Sequence, residues 1–251
     1  MKKIASVIAL LSLLITGQVM AADIEFDEGL TQTAFEDLSK EAVALLAYKN
    51  MAPAEPLGVT GFDIGIESSF VSISTGNNNY WEKAFADDAP SVLPAPKIRV
   101  RKGLPGGIDI GAMYSGVPGS NIKLYGAEVS YAILEGGIAT PALGVRGTYT
   151  KLSGVEDLDF QTTGFDVSIS KGFAILTPYA GAGMVHFSSR AKGNLQSLSA
   201  DLIGSPLSDE KQWQPRYFGG VKLSWIPLLG ITAEFEYMNR PVYSLKIALA
   251  F

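Results

Sequence analysis

Along most of the chain, apolar and polar residues alternate one for one. Phe62, Ile64, Ile66 and Phe70 share one parity, while Asp63, Gly65, Glu67 and Ser69 share the other. A strand turns successive side chains to opposite faces, so this period predicts a strand with one apolar and one polar face. The pattern recurs. Ile98 and Val100 alternate with Lys97, Arg99 and Arg101, and Ile108, Ile110, Ala112 and Tyr114 with Asp109, Gly111, Met113 and Ser115. Tyr125, Ala127, Val129 and Tyr131 oppose Gly126, Glu128, Ser130 and Ala132; Leu143, Val145 and Tyr149 oppose Gly144, Arg146 and Thr148. Phe165, Val167 and Ile169 oppose Asp166, Ser168 and Ser170. Tyr179, Val185 and Phe187 are assigned to the apolar face, against Ala180, Ala182, Met184 and His186. Tyr217, Val221, Leu223 and Trp225 oppose Arg216, Lys222 and Ser224, and Ile231, Ala233, Phe235 and Tyr237 oppose Glu234 and Glu236. With a last strand at the C-terminus, about ten strands are predicted, within a range of about eight to twelve.

The links between strands alternate in length. Those near 103–107, 135–137, 171–174 and 227–230 are tight and mostly carry Gly or Pro. Those near 75–95, 116–121, 152–159 and 189–211 are mostly longer and more polar, and the short Asn239-Arg-Pro241 link falls in the same series. Short turns at one end and long loops at the other predict an all-β, transmembrane, antiparallel up-and-down β-barrel. An even strand number returns both barrel termini to the short-turn end.

The final nine residues carry the most specific signal. Tyr243, Leu245, Ile247, Leu249 and Phe251 lie on one face, and Ser244, Lys246, Ala248 and Ala250 on the other. Here the chain resembles the bacterial outer-membrane β-barrel proteins, whose last strand ends in Phe and is read by the barrel-assembly machinery. The resemblance implies a place in the Gram-negative outer membrane, with that lipid and that machinery as partners.

The other end fits export. Met1-Lys-Lys followed by an apolar run over Ile4–Ile15 and small residues at Gly17-Gln-Val-Met-Ala21 predicts a signal peptide over 1–21, cleaved before Ala22. Residues 22–56 then form an N-terminal helical segment and 57–251 the barrel. Thr33-Ala-Phe-Glu36 has capping-box spacing, and Phe35, Leu38, Ala42, Leu45 and Leu46 repeat on one helical face. The helix is expected to stop before Pro53 and Pro56. Its default reading is a periplasmic or interfacial amphipathic helix. The alternative is a plug in the lumen, beside small residues at Gly65, Gly111, Gly126, Gly144, Ala180, Ala182, Gly220 and Ala248. A segment guarding a barrel is similar in layout to the outer-membrane long-chain fatty-acid transporters, whose barrels are larger.

Composition narrows the class. The chain has 251 residues, 47% of them hydrophobic, 27 glycines, no cysteine and a net charge of −5. Disulfides and thiolate metal sites are excluded, and the acidic balance argues against a nucleic-acid binder. Beyond the signal, no run of about 20 apolar residues offers a helical span. A soluble sandwich or lipocalin-like barrel would also alternate. Here, however, the polar face carries many charges of both signs, and aromatics gather toward strand ends at Tyr114, Tyr149, Phe187, Tyr217, Trp225 and Tyr237. That is the arrangement of a lipid-facing girdle.

The polar face assigns Asp63, Glu67, Asp109, Glu128, Asp166, Glu234 and Glu236 to the lumen, with Arg99, Arg101, Arg146, Arg216, Lys222 and Lys246. A pore selecting one ion sign uses a ring of like charge, whereas mixed signs pair across strands and narrow the lumen. The leading expectation is a narrow or gated channel for small or amphiphilic solutes, with Arg99, Arg101, Asp109, Glu128, Arg146, Asp166, Arg216, Lys222, Glu234 and Glu236 as lining candidates. The alternative is a closed structural or adhesion barrel. His186 and Ser188 form a His-x-Ser pair that resembles the outer-membrane lipid A deacylases, which implies a lipid hydrolase as a third reading. The parity above turns that pair inward, and no acid follows at a matching place. Glu156, Asp157 and Asp159 lack the spacing of a calcium loop and read as a solvated acidic loop. No cofactor or metal is expected.

Overall fold

The computed structural model describes residues 26, 28–74, 79–84, 91–116 and 121–251. The expected signal peptide and the tips of the loops near 75–90 and 117–120 lie outside these residues. The chain order is α1 (Gln32–Leu46), β1 (Phe62–Ser72), β2 (Val92–Leu104), β3 (Ile108–Gly116), β4 (Lys123–Glu135), β5 (Ala142–Ser153), β6 (Leu158–Ser170), β7 (Leu176–Ala191), α2 (Gly193–Ile203), β8 (Glu210–Ile226), β9 (Leu229–Met238) and β10 (Arg240–Ala250). Each strand pairs antiparallel with its sequence neighbours, and β1 pairs with β10, so the ten strands close into a barrel. Closure leaves no edge strand, which a barrel in lipid requires.

The terminal aromatic takes part in that closure. Phe62 and Phe251 exchange backbone hydrogen bonds of 2.6 and 3.0 Å, and their rings stack at 5.5 Å. The last residue is therefore the final rung of the seam between β10 and β1. Outside, Ile64, Ile98, Val100, Ile110, Val129, Phe165, Val167, Phe235 and Leu249 are exposed. Tyr114, Tyr125, Tyr149, Trp213, Tyr217, Trp225, Tyr237 and Tyr243 are exposed with them. An apolar surface on this scale has no place on a soluble monomer, and it is the lipid face of a membrane-spanning barrel. Among the described residues no helix is long and apolar enough to cross a membrane, so the crossing falls to strands.

β7 departs from the expected faces. Tyr179, Val185 and Phe187 are buried inside, and Ala180, Met184 and His186 lie outside. Phe187 is therefore no part of the girdle, and Ala180 and Ala182 do not line the lumen. The reason lies in what fills the barrel. Where the lumen holds an apolar helix, apolar side chains satisfy the inner face as well as the outer.

That helix is α1. Its default reading at the periplasm or interface is overturned: α1 lies within the barrel, against β1, β6, β8 and β10. Its cap also shifts from the expected box, since Thr31 Oγ1 accepts from the Ala34 amide and Glu36 pairs instead with Lys40. Phe35, Leu38, Ala42 and Val43 pack with wall residues Val71, Val185, Phe187, Met238 and Val242 in one buried cluster. The small Ser39, Ala42 and Ala44 let a helix about 10 Å wide fit among them.

Candidate functional site: the plugged lumen

The N-terminal segment runs the length of the barrel. At the long-loop end, the Phe26 amide donates to Asp157 on the β5–β6 loop and the Leu30 amide to Ser199 on α2. From there α1 descends, and an extended stretch over 47–57 continues toward the short-turn end. The Ala54 amide donates to Ser170 Oγ, and the Leu57 amide to Asp109, both near short turns. Residue 26 thus lies at the opposite end from the start of β1. Asp157 is buried by these contacts, and it also accepts from the Asn194 amide at the start of α2, so the acidic loop is not simply solvated.

The inward charges pair into a belt around this segment. Glu67 meets Arg99 at 3.0 Å, and Arg101 reaches Asp109 at 3.0 Å and Glu128 at 2.6 Å. Arg146 spans Glu128 at 3.6 Å and Asp166 at 2.6 Å; Arg216 binds Asp166 and stands 3.6 Å from Glu236. Lys246 meets Asp63 at 3.1 Å. Gly183 on β7 makes room for this belt, because a Cβ there would fall 2.2 Å from Asp166 Oδ1. Arg216 on β8 thereby reaches Asp166 on β6 across the intervening strand.

The plug closes the electrostatic account. Among the described residues, Asp63, Glu67, Asp109, Glu128, Asp166, Glu234 and Glu236 are the buried wall carboxylates, and Lys97, Arg99, Arg101, Arg146, Arg216 and Lys246 the buried wall cations. Lys49, carried in on the plug, supplies the missing positive charge and meets Glu236 at 2.5 Å. The same guanidinium groups hold the plug by its backbone. Arg99 donates to the carbonyls of Lys49 and Asn50, Arg146 to that of Lys49, and Arg216 to that of Tyr48. Glu234 accepts from the Met51 amide and the Tyr179 hydroxyl. An extended chain with free carbonyls is what such donors can hold without matching any side chain.

At the long-loop mouth, Glu41 of α1 makes a separate latch. It accepts from the Ser74 amide and hydroxyl at 3.0 and 2.6 Å, from Trp81 Nε1 at 2.8 Å and from Arg240. Nearby Ser39 and Ser189 hydroxyls meet at 2.9 Å. Between plug and wall near the short turns, a void of about 20 Å³ remains, lined by residues that include Ala54, Arg101 and Arg146. That is room for a water and little more.

The lining candidates from the sequence therefore come together inside, with Lys222 only half-buried and outside the belt. Sequence reasoning missed Lys49, Tyr48 and Tyr179. The inward faces read from the sequence, with Lys97 and Lys222 counted, carry seven cations against seven carboxylates, so the shortfall that Lys49 fills shows only once Lys222 is seen outside the belt. His186 and Ser188 sit on the outer face, contrary to the expected parity, and His186 packs on Trp213 with ring centres 5.1 Å apart. Their partners across β6 and β8 are Thr163, Gln161, Trp213 and Lys211, so the acid a hydrolytic triad needs is missing from these rungs.

The fold and lumen define a closed, membrane-spanning β-barrel filled by its own chain. No family model and no curated protein sequence matches it. Among solved structures it is similar to the outer membrane protein OprG of Pseudomonas aeruginosa, at 9% identity and a TM-score of 0.40 over 80% of this chain and 99% of that one. It is also similar to Ail of Yersinia pestis, at 11% identity and 0.32 over 76% and 97%, and to the KdgM porin, at 6% and 0.36 over 75% and 99%. These likenesses are distant and say nothing of what this chain does.

Proposed function

We propose that the protein is an integral barrel of the Gram-negative outer membrane that acts as a gated channel for small or amphiphilic solutes, with residues 26–57 as its gate. One observation carries this reading. The ten-strand wall is complete without the N-terminal segment, and that segment packs inside it as a separate piece of chain. The lower plug is held mainly through its backbone by wall side chains, with one side-chain ion pair from Lys49 to Glu236, and water can replace these contacts as the segment leaves. The belt arginines and carboxylates would set which solutes pass once the segment moves.

The competing reading, a closed structural or adhesion barrel, draws on the apolar packing of α1 against Val71, Val185 and Phe187. The Glu41 latch separates the two. Replacing Glu41 with Ala removes the tie to Ser74, Trp81 and Arg240 while leaving the charge belt intact. The gated reading predicts more frequent single-channel openings in a planar bilayer than the unaltered protein gives. Lower heat resistance with no openings at any voltage would favour the structural barrel.

A further inference from the structure

We propose that the outer face between β5 and β8 holds a binding site for the phosphate of a lipid head group. The site is a pocket of about 140 Å³ lined by Lys151, Asp159, Phe160, Gln161, Ser188 and Arg190. The acid that lines it, Asp159, and Asp209 beside Arg190 are already neutralised by their neighbours. Asp159 pairs with Lys192 at 2.6 Å, and Asp209 accepts from Arg190 Nε and Nη2 at 3.0 and 2.9 Å, with Lys211 at 3.5 Å. Those bonds hold the Asp209 carboxyl below the usual carboxylate range, so it stays ionised.

What remains at the pocket is a set of donors. Lys151 Nζ, Arg190 Nη1 and the Ser188 hydroxyl make no hydrogen bond among the described residues. The Gln161 amide nitrogen is also unused, because only its oxygen is engaged, by the Tyr149 hydroxyl at 3.1 Å. Two cations, an amide nitrogen and a hydroxyl converging on one cavity suit a tetrahedral oxyanion. Asp209 fixes one edge of the Arg190 guanidinium, which leaves the other edge preorganised for the ligand.

The height of the pocket selects the source of that oxyanion. Lys151, Gln161, Ser188 and Lys211 form one row across β5 to β8. The next row toward the short turns is Tyr149, Thr163, His186 and Trp213, and beyond it Phe165 and Met184 face outward. Two residues along a strand amount to about 7 Å. The donors thus stand one step outside an aromatic interfacial row, where phosphates of outer-leaflet lipid lie. A free phosphate would have no need of that placement.

This inference rests on the membrane reading, and the test separates the two. The full chain is refolded in zwitterionic detergent, and its barrel is verified by heat-modifiable gel migration. Native mass spectrometry then measures retention of a diphosphorylated acyl-disaccharide lipid, beside the same lipid stripped of phosphate. The unaltered protein should retain the phosphorylated lipid, and K151Q with R190Q should retain it about tenfold less, without loss of the folded band. Inorganic phosphate in large excess over the lipid should not displace it. Equal retention of the stripped lipid, or no effect of the substitutions, overturns the site. Ready displacement by inorganic phosphate overturns the lipid as its ligand. A chain with no heat-modifiable band would instead count against the membrane barrel itself.

Discussion

Deleting residues 26–57 is expected to turn a barrel that rarely opens into a steadily conducting one. The deletion removes no strand, so all wall pairings, including the seam of Phe62 with Phe251, persist. Strand spacing and tilt for ten strands leave a backbone diameter of about 20 Å. Taking out a helix and an extended stretch opens most of that width, and the exposed belt of Arg99, Arg101, Glu128, Arg146, Asp166 and Arg216 would draw in water. Planar-bilayer recording should show steady conductance for the shortened chain and only rare events for the whole one. A folded, shortened barrel that stays silent would mean that the wall collapses inward, and that the segment is a core rather than a gate.

The second large effect falls on Asp166. Among the described residues it is the carboxylate that joins Arg146 on β5 to Arg216 on β8, accepting at 2.6 Å from Arg146 Nη2 and at 3.0 Å from Arg216 Nε. Asp166→Ala leaves two buried guanidinium groups with weaker partners, and Glu128 and Glu236 stand 3.6 Å away in each case. Breaking a buried pair from one side costs about 3–5 kcal/mol. The urea midpoint for unfolding from lipid vesicles should fall accordingly. Asp166→Asn keeps the volume and one acceptor and should fall by clearly less. Equal midpoints for Asp166→Ala and the unaltered protein would show that water, rather than this carboxylate, satisfies the two arginines.

A count near ten strands and most inward charges were legible from alternation, and the up-and-down order from the alternating link lengths, because lipid outside and charge inside impose opposite chemistry on each strand. β7 was not. Alternation marks two faces but not which faces lipid, and Val185 and Phe187 look outward until the apolar helix they pack on is known. The helix at 32–46 was legible as a helix, yet nothing in Phe35, Leu38 or Ala42 distinguishes an interfacial face from one packed in a lumen. The threading depends on long-range ties such as Phe26 to Asp157 and Lys49 to Glu236, which no local pattern encodes. Asp157 misled for the same reason, as an acidic loop position looks solvated until the amides it caps are in place.

The central claim is that α1 occupies the lumen, and one pair of residues tests it most directly. The native chain has no cysteine, and the Ser39 and Ser189 hydroxyls stand 2.9 Å apart between plug and wall. Ser39→Cys with Ser189→Cys should therefore form an intramolecular disulfide in native outer membranes, read as a shift in unfolded gel mobility that reductant reverses. Two free thiols in a folded barrel under oxidising conditions would place the helix outside the lumen and contradict the account.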